Sequence, residues 1–232
     1  MRIPGTLLAL VLAATLVGPA AHGEDPAVVE PEAIPMMTVF GGSYQGYWWD
    51  HADLTVAVRV APTAPADFAE VAHDAIAGWD AALRAEYGGV ITLTDVSSTP
   101  GAAATADIVV HYVPRYGGTV YLGRTLCGGN VGGGGGNRCN NVIVKSDVPQ
   151  KFVGDATPEE FFTLVQHELG HALGIGHTLP IDAWDVMGYG WVYTGQGVPL
   201  SQCDLDAVGA AFGWALAGEQ PHPPTVEAVY CS

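Results

Sequence analysis

The sequence has 232 residues, with 8 Lys and Arg side chains against 24 Asp and Glu, and a formal net charge of −16. A chain of this length buries enough apolar surface for one domain with a substantial core. The negative charge argues against nucleic acid and anionic membranes as partners. It is typical of solubility outside the cell, and a preference for basic substrates is the other interpretation.

The first 23 residues have the pattern of a secretory signal peptide. Met1-Arg2 precedes an apolar run over residues 7–17, and small residues stand third and first before Glu24, where we expect cleavage. The run is short for a membrane span, and an uncleaved anchor is the alternative. No other stretch is apolar enough to cross a bilayer. We therefore expect a secreted, extracellular protein with no membrane span in the mature chain.

Three segments follow the signal peptide. Residues 24–45 are rich in proline and acidic side chains and lack periodicity, so we interpret them as an extended arm or a short pro-segment. Residues 46–218 are expected to form one folded domain. Residues 219–232 are interpreted as a proline-rich tail tied back by a disulfide.

Alternation and helical spacing of apolar residues predict a mixed structure. A helix should begin near Pro65 and end at Gly88-Gly89. A second should begin with Thr157-Pro158, where Thr157 and Glu160 form a capping box. Strands are predicted over residues 54–60, 90–96, 107–113, 121–126 and 141–146.

The strand over residues 121–126 is interpreted as the edge strand of the sheet, above the cleft. Unpaired backbone groups of an edge strand can hold an extended peptide. Residues 128–137 have glycine at seven of ten positions but lack the Gly-Lys-Ser/Thr of a phosphate-binding loop. We therefore interpret this stretch as a flexible loop.

All four cysteines lie in the second half of the chain: Cys127, Cys139, Cys203 and Cys231. An even number of cysteines in an exported chain indicates two disulfides. Three pairings are possible. We favour Cys127–Cys139 with Cys203–Cys231, because each bond closes a local loop.

The strongest chemical signal is the pattern H-E-x-x-H-x-x-G-x-x-H at residues 167–177. His167 and His171 lie four apart on a helix, so both imidazoles share one face and can bind one metal ion, usually zinc. Glu168 lies beside the first ligand, where it can act on a metal-bound water. His177 can join them only if the chain turns after the helix, and Gly174 can adopt the left-handed conformation required. By contrast, His51, His73 and His111 are predicted to have structural roles.

This pattern resembles the metzincin clan of zinc endopeptidases. The clan also has a methionine turn beneath the metal, which matches Asp185-Val186-Met187-Gly188-Tyr189. Residues 199–208 are similar to the start of the C-terminal helix of matrixins, and the likeness extends over about residues 47–216. The resemblance therefore implies a matrixin-like catalytic domain at residues 46–218.

The resemblance implies an α+β zincin-like fold, with a twisted, mostly parallel five-stranded sheet, two long helices and a small C-terminal subdomain. It implies one catalytic Zn²⁺; Ca²⁺ is possible, but no motif supports it. Met187 is expected to form an apolar floor under the ligands. Tyr189 matches the position from which tyrosines of astacins and serralysins reach the metal or the oxyanion; a buried wall residue is the alternative.

The sequence therefore predicts a secreted zinc-dependent endopeptidase. It would cleave internal bonds of extended protein or peptide substrates with a metal-activated water and Glu168 as general base, and act as a monomer. Two alternatives stay open: a catalytically silent extracellular zinc-binding module, and a processing protease of narrow specificity.

Overall fold

The structure, a computed structural model, describes residues 36–39, 48–62, 67–113, 123–127, 139–145, 157–192 and 194–231. All of these residues belong to one compact unit, Ala33–Ser232. The predicted signal peptide, most of the predicted arm and the glycine-rich residues 128–137 lie outside the described residues. Among those described, no helix is both long and apolar enough to cross a bilayer.

The described residues form eight strands, four α-helices and one short 3₁₀ helix, Ala102–Ala104. The strands are β1 (Met36–Val39), β2 (Asp53–Arg59), β3 (Thr92–Asp95), β4 (Ile108–Val113), β5 (Gly123–Cys127), β6 (Cys139–Lys145), β7 (Ile175–Leu179) and β8 (Ala228–Tyr230). The helices are α1 (Phe68–Tyr87), α2 (Pro158–Ala172), α3 (Gln202–Ala211) and α4 (Gly213–Leu216). The predicted α+β class is confirmed.

The larger sheet has five strands in the order β3-β2-β4-β6-β5. Three of its neighbouring pairs are parallel, and only β5 runs antiparallel to its neighbour, β6. Strand β5 therefore lies at one edge, as predicted for this stretch. Strand β3 is shorter than the predicted strand over residues 90–96. Val90, at the start of the predicted strand, is 45% exposed and lies in the turn after α1.

Helices α1 and α2 pack together, and their buried side chains form the core with the larger sheet. On α1, apolar residues at three- and four-residue spacing are all buried: Phe68, Ala72, Ala75, Ile76, Trp79 and Leu83. Trp79 also donates its indole N–H to the backbone oxygen of Gln166 on α2, at 3.0 Å. Helix α1 ends at Gly88, whose φ of 61° is left-handed, as the sequence predicts.

A second sheet, not predicted from the sequence, has the order β7-β1-β8. Its middle strand, β1, pairs antiparallel with both neighbours, and Met37 is fully buried. Residues 36–39 fall within the predicted arm and residues 228–230 within the predicted tail. Both segments are only three or four residues long, which is too short for alternation to give a strand signal. Pairing stabilises them: β1 pairs with β7 and β8 pairs with β1.

One of the two favoured disulfides is present among the described side chains. Cys203, at the start of α3, is bonded to Cys231, with a Cα–Cα distance of 5.1 Å. The bond joins α3 to the residue that follows β8. Cys127 and Cys139 are opposed in the backbone register of β5 and β6. Their side chains lie outside the described part of the structure, so this pairing stays a prediction.

Candidate metal centre

Helix α2 is fixed at its N-terminus by the predicted capping box. Thr157 Oγ1 accepts the Glu160 backbone N–H at 3.2 Å, and Glu160 Oε2 accepts the Thr157 N–H at 3.2 Å. Glu160 also accepts the N–H of Gly195 at 2.8 Å, which ties a later loop to the same helix end. At the other end, Trp49 donates its indole N–H to the Ala172 oxygen at 2.8 Å. Because both ends are anchored, α2 is a rigid support for the residues it carries.

The chain turns where the sequence predicts it. Helix α2 ends at Ala172, and Gly174 follows with a φ of 97°, which L side chains rarely adopt. Strand β7 then runs from Ile175 and carries His177 back beside the helix. The glycine therefore brings the third histidine of the motif to the first two.

The three histidines of the motif form one compact group. Their candidate ligand nitrogens all lie within 4.8 Å of one another. The ring centroids of His167 and His171 are 4.6 Å apart, and that of His177 lies 5.3 Å and 4.8 Å from them. Among the described residues, this is the only group of at least three His, Cys, Asp or Glu side chains that could hold a metal ion.

Two of the rings are oriented by the main chain. His167 donates from Nδ1 to the Val186 oxygen at 2.7 Å, and His171 donates from Nδ1 to the Ile175 oxygen at 2.9 Å. A carbonyl can only accept, so Nδ1 carries the proton in both rings. In the neutral imidazole Nε2 then keeps its lone pair, which is the state that binds a metal.

Burial keeps these rings neutral. It lowers the pKa of His167 to about 4. The hydrogen bond to Val186 raises this pKa, and the neighbouring His177 lowers it, both by less than burial does. Burial and the two neighbouring rings hold the pKa of His171 well below its usual range, and burial also lowers the pKa of His177. All three imidazole rings of the group are therefore neutral at physiological pH, the state in which an imidazole can bind a metal ion.

Met187 lies directly against the helix that carries the first two histidines. It is fully buried. A Cβ atom added at Gly170, between His167 and His171, would overlap Met187 Sδ and come within 3.2 Å of its Cε. The close approach of the methionine therefore requires glycine at position 170. This glycine was not predicted from the sequence, because an unspecified position in a motif carries no signal of its own.

The turn that contains Met187 is hydrogen-bonded to β7. Asp185 accepts the Thr178 hydroxyl and the Gly188 backbone N–H, at 2.8 and 2.6 Å. The Met187 oxygen accepts the Thr178 N–H at 3.2 Å. Because Thr178 follows His177, these bonds connect the methionine turn to the third histidine.

Tyr189 reaches the metal centre from this turn. Its Oη lies 2.9 Å from His177 Nε2, and the two rings are 4.9 Å apart. The side chain is 46% exposed, so the alternative of a buried wall residue is wrong. The phenol and the third imidazole therefore meet at the open side of the group.

Glu168 follows His167 on α2 and is in contact with β5. Its side chain is 3% exposed, and Thr125 Oγ1 lies 2.6 Å from Glu168 Oε2 and 2.8 Å from the Glu168 backbone oxygen. Burial raises the pKa of Glu168 to about 8, although the hydrogen bond with Thr125 lowers it. A carboxyl group beside the histidines can therefore take up and release a proton near neutral pH.

The structure thus brings together the residues that the sequence singled out at this site: His167, Glu168, His171, Gly174, His177, Met187 and Tyr189. Thr125 was not predicted from the sequence. Alternation along a strand puts residues 123 and 125 on one face, but which face meets α2 is decided by packing between distant parts of the chain.

The fold and site define an α+β protein with a three-histidine group that can hold a metal ion. The chain matches no protein-family model. Over 78 residues it is 33% identical to interstitial collagenase of Sus scrofa; this region covers 34% of the chain and 16% of the collagenase. The chain therefore matches only a small part of that relative's length.

Among solved structures, the chain is similar to archaemetzincin from Methanopyrus kandleri. The TM-score is 0.40 and the sequence identity 15%, and the match covers 71% of this chain and 97% of the archaemetzincin. A likeness at this level supports no conclusion about function.

Proposed function

We propose that the chain is a secreted zinc-dependent endopeptidase with a matrixin-like, metzincin-type catalytic domain. The observation that carries the proposal is the convergence of His167, His171 and His177, with Glu168 buried beside them. The short similarity to interstitial collagenase supports it. Export rests on the signal-peptide pattern of residues 1–23.

The donor set fits zinc. Imidazole nitrogen is a preferred zinc ligand, and three neutral rings leave a fourth position open, as catalytic zinc sites require. No other Cys, His, Asp or Glu side chain of the described residues joins the group. Bound zinc would supply a Lewis acid that polarises the scissile carbonyl and acidifies a water molecule.

The protein's own residues account for the other steps. Val186 and Ile175 hold the first two rings in the ligand tautomer through their backbone oxygens. Glu168 would take a proton from the attacking water and return it to the leaving amine. Tyr189 would donate a hydrogen bond at the open side, toward the oxygen that becomes negative.

The substrate would lie along β5. This strand is an edge strand of the larger sheet and packs on α2, which carries Glu168. Backbone groups on its outer side can pair with an extended peptide, which would then pass the histidines. We therefore propose internal bonds of extended protein segments as substrates.

The test compares wild-type protein with Glu168→Ala on a proteome-derived peptide library read by mass spectrometry. We expect zinc-dependent cleavage by the wild type, loss of nearly all of it in Glu168→Ala, and unchanged zinc content. Glu159→Ala is the matched control, because Glu159 is an exposed acid on the same helix. Undiminished cleavage by Glu168→Ala, or zinc binding without any cleavage by the wild type, would reject the proposal.

A further inference from the structure

Strand β5 presents two residues to the Glu168 side chain. Residues two apart on a strand face the same side, and both Gly123 and Thr125 contact Glu168. Arg124, between them, is exposed. The face of β5 that meets α2 therefore consists of a residue without a side chain followed by a hydroxyl group.

Thr125 binds Glu168 at two points. Its Oγ1 lies 2.8 Å from the backbone oxygen of Glu168 and 2.6 Å from Oε2 of the carboxyl group. A threonine side chain has few χ1 rotamers, so its hydroxyl is held in place by β5 itself. One hydroxyl thereby fixes the carboxyl group relative to the backbone of its own residue.

Gly123 leaves the space that the carboxyl group fills. A Cβ atom at this position would overlap Glu168 Oε1 and lie 2.8 and 2.9 Å from Cγ and Cδ, closer than real Cβ contacts. The three Glu168 atoms belong to a buried side chain that is already hydrogen-bonded to Thr125. Any residue other than glycine must therefore displace the carboxyl group.

We propose that Gly123 and Thr125 form a cradle that positions the Glu168 carboxyl group for proton transfer, with Thr125 as a positioning residue. The inference rests on the proposed function. A general base must lie within hydrogen-bond reach of the proton it takes, and a buried carboxyl group with free χ angles would spend part of its time elsewhere. The cradle removes that freedom from the side facing β5.

The first test compares Thr125→Val, which keeps the shape and loses the hydroxyl, with Thr125→Ser, which keeps the hydroxyl. We expect Thr125→Val to lower kcat at least about 10-fold with little change in KM, because orientation and not substrate binding is lost. Thr125→Ser should recover most of the rate. Thr94→Val is the matched control, since Thr94 is exposed on β3 at the opposite edge of the same sheet.

The second test does not depend on turnover. In crystal structures of the zinc-loaded proteins, we expect the Glu168 carboxyl group to be displaced in Gly123→Ala and to occupy more than one position in Thr125→Val. Zinc content and melting temperature of Thr125→Val should match those of the wild type. If Gly123→Ala does not fold, Thr125→Val decides alone.

The outcomes separate the cradle from the proposed function. A wild type that cleaves peptides, together with a Thr125→Val variant of wild-type kcat and an unmoved carboxyl group, overturns the cradle alone. A wild type that cleaves nothing overturns the proposed function and the cradle with it.

Discussion

Two groups of histidines in this protein differ in their hydrogen-bond partners. At the metal centre, His167 and His171 are bonded through Nδ1 to main-chain oxygens. Elsewhere, His51, which precedes β2, is paired with Asp50 and Asp107. His73, on α1, is paired with Asp95 at the end of β3. His167 is only 4% exposed, whereas 42% of the His73 side chain is exposed.

This difference in partners agrees with the proposed roles, in which His167 and His171 bind zinc and the other two histidines are structural. A carbonyl oxygen orients an imidazole without favouring its charged form as strongly as a carboxylate does, and burial then keeps the ring neutral. At His51 and His73 the partner is instead a carboxylate that is partly in contact with solvent. The comparison therefore predicts that loss of His167 weakens zinc binding and that loss of His73 does not.

The largest expected effect comes from removing a ligand. His167→Ala should lower zinc affinity beyond the roughly 10–100-fold that loss of an outer-shell partner causes, because a direct donor is lost. His73→Ala should leave zinc affinity unchanged. Competition titrations with a chelating dye would measure both. An equal loss of zinc affinity in the two variants would contradict the different roles of these two histidines.

The bend that brings in the third ligand gives the next largest effect. Gly174→Ala should cost about 1–2 kcal/mol of stability, because an L residue is strained at a left-handed φ. It should also weaken zinc binding, since His177 lies three residues further on. Gly101 has a φ of 82° and open space around it, so Gly101→Ala is the matched control.

Thermal unfolding with and without zinc would compare these two variants. Both should lose stability without the metal, and only Gly174→Ala should also lose part of the stabilisation that zinc provides. If Gly174→Ala bound zinc as the wild type does, the third ligand would not depend on this bend.

Two carboxyl groups, those of Asp204 and Asp95, should make the stability of the protein depend on pH in opposite directions. Burial raises the pKa of Asp204 to about 7. The hydrogen bonds from Ser201 lower this pKa, and the charge of Asp185 raises it further. Its folded-state pKa then exceeds the unfolded value near 3.8, so the folded protein binds the extra proton, and this group lowers stability as pH rises from about 4 to about 7. Asp204→Asn should flatten that part of the stability curve, measured by urea denaturation. A curve parallel to that of the wild type would contradict the shift.

Asp95 should show the opposite dependence and the smallest effect. Burial would raise its pKa, but hydrogen bonds from Ser97 and the contact with His73 outweigh it, and the pKa is lowered. The pair then stabilises the fold above the unfolded pKa, and this contribution is lost as pH falls. Because the pair is partly exposed, Asp95→Asn should cost no more than about 1 kcal/mol at neutral pH. A larger loss in urea denaturation would mean that this ion pair is more than a surface contact.

The sequence predicted what short-range patterns encode. The capping box of α2, the turn at Gly174 and the helical face of α1 all depend on residues a few positions apart, and all are present. The three histidines that could hold a metal ion lie together for the same reason, since one motif carries them all.

The missed features depend on contacts between distant segments. Strand β1 has no signal of its own and is stabilised by pairing with β7 and β8, some 140 and 190 residues away. Thr125 acts on Glu168 across 43 residues, and Gly170 is required by the approach of Met187. None of these pairs has a fixed spacing that a sequence pattern could reveal.

The central claim is that three imidazoles hold one zinc ion with a position left for a non-protein ligand. A crystal structure of the zinc-loaded protein, with anomalous data at the zinc edge, tests it most directly. The account predicts one strong peak among the Nε2 atoms of His167, His171 and His177, with a water or buffer oxygen as the fourth ligand. A peak elsewhere, or a protein side chain in the fourth position, would contradict it.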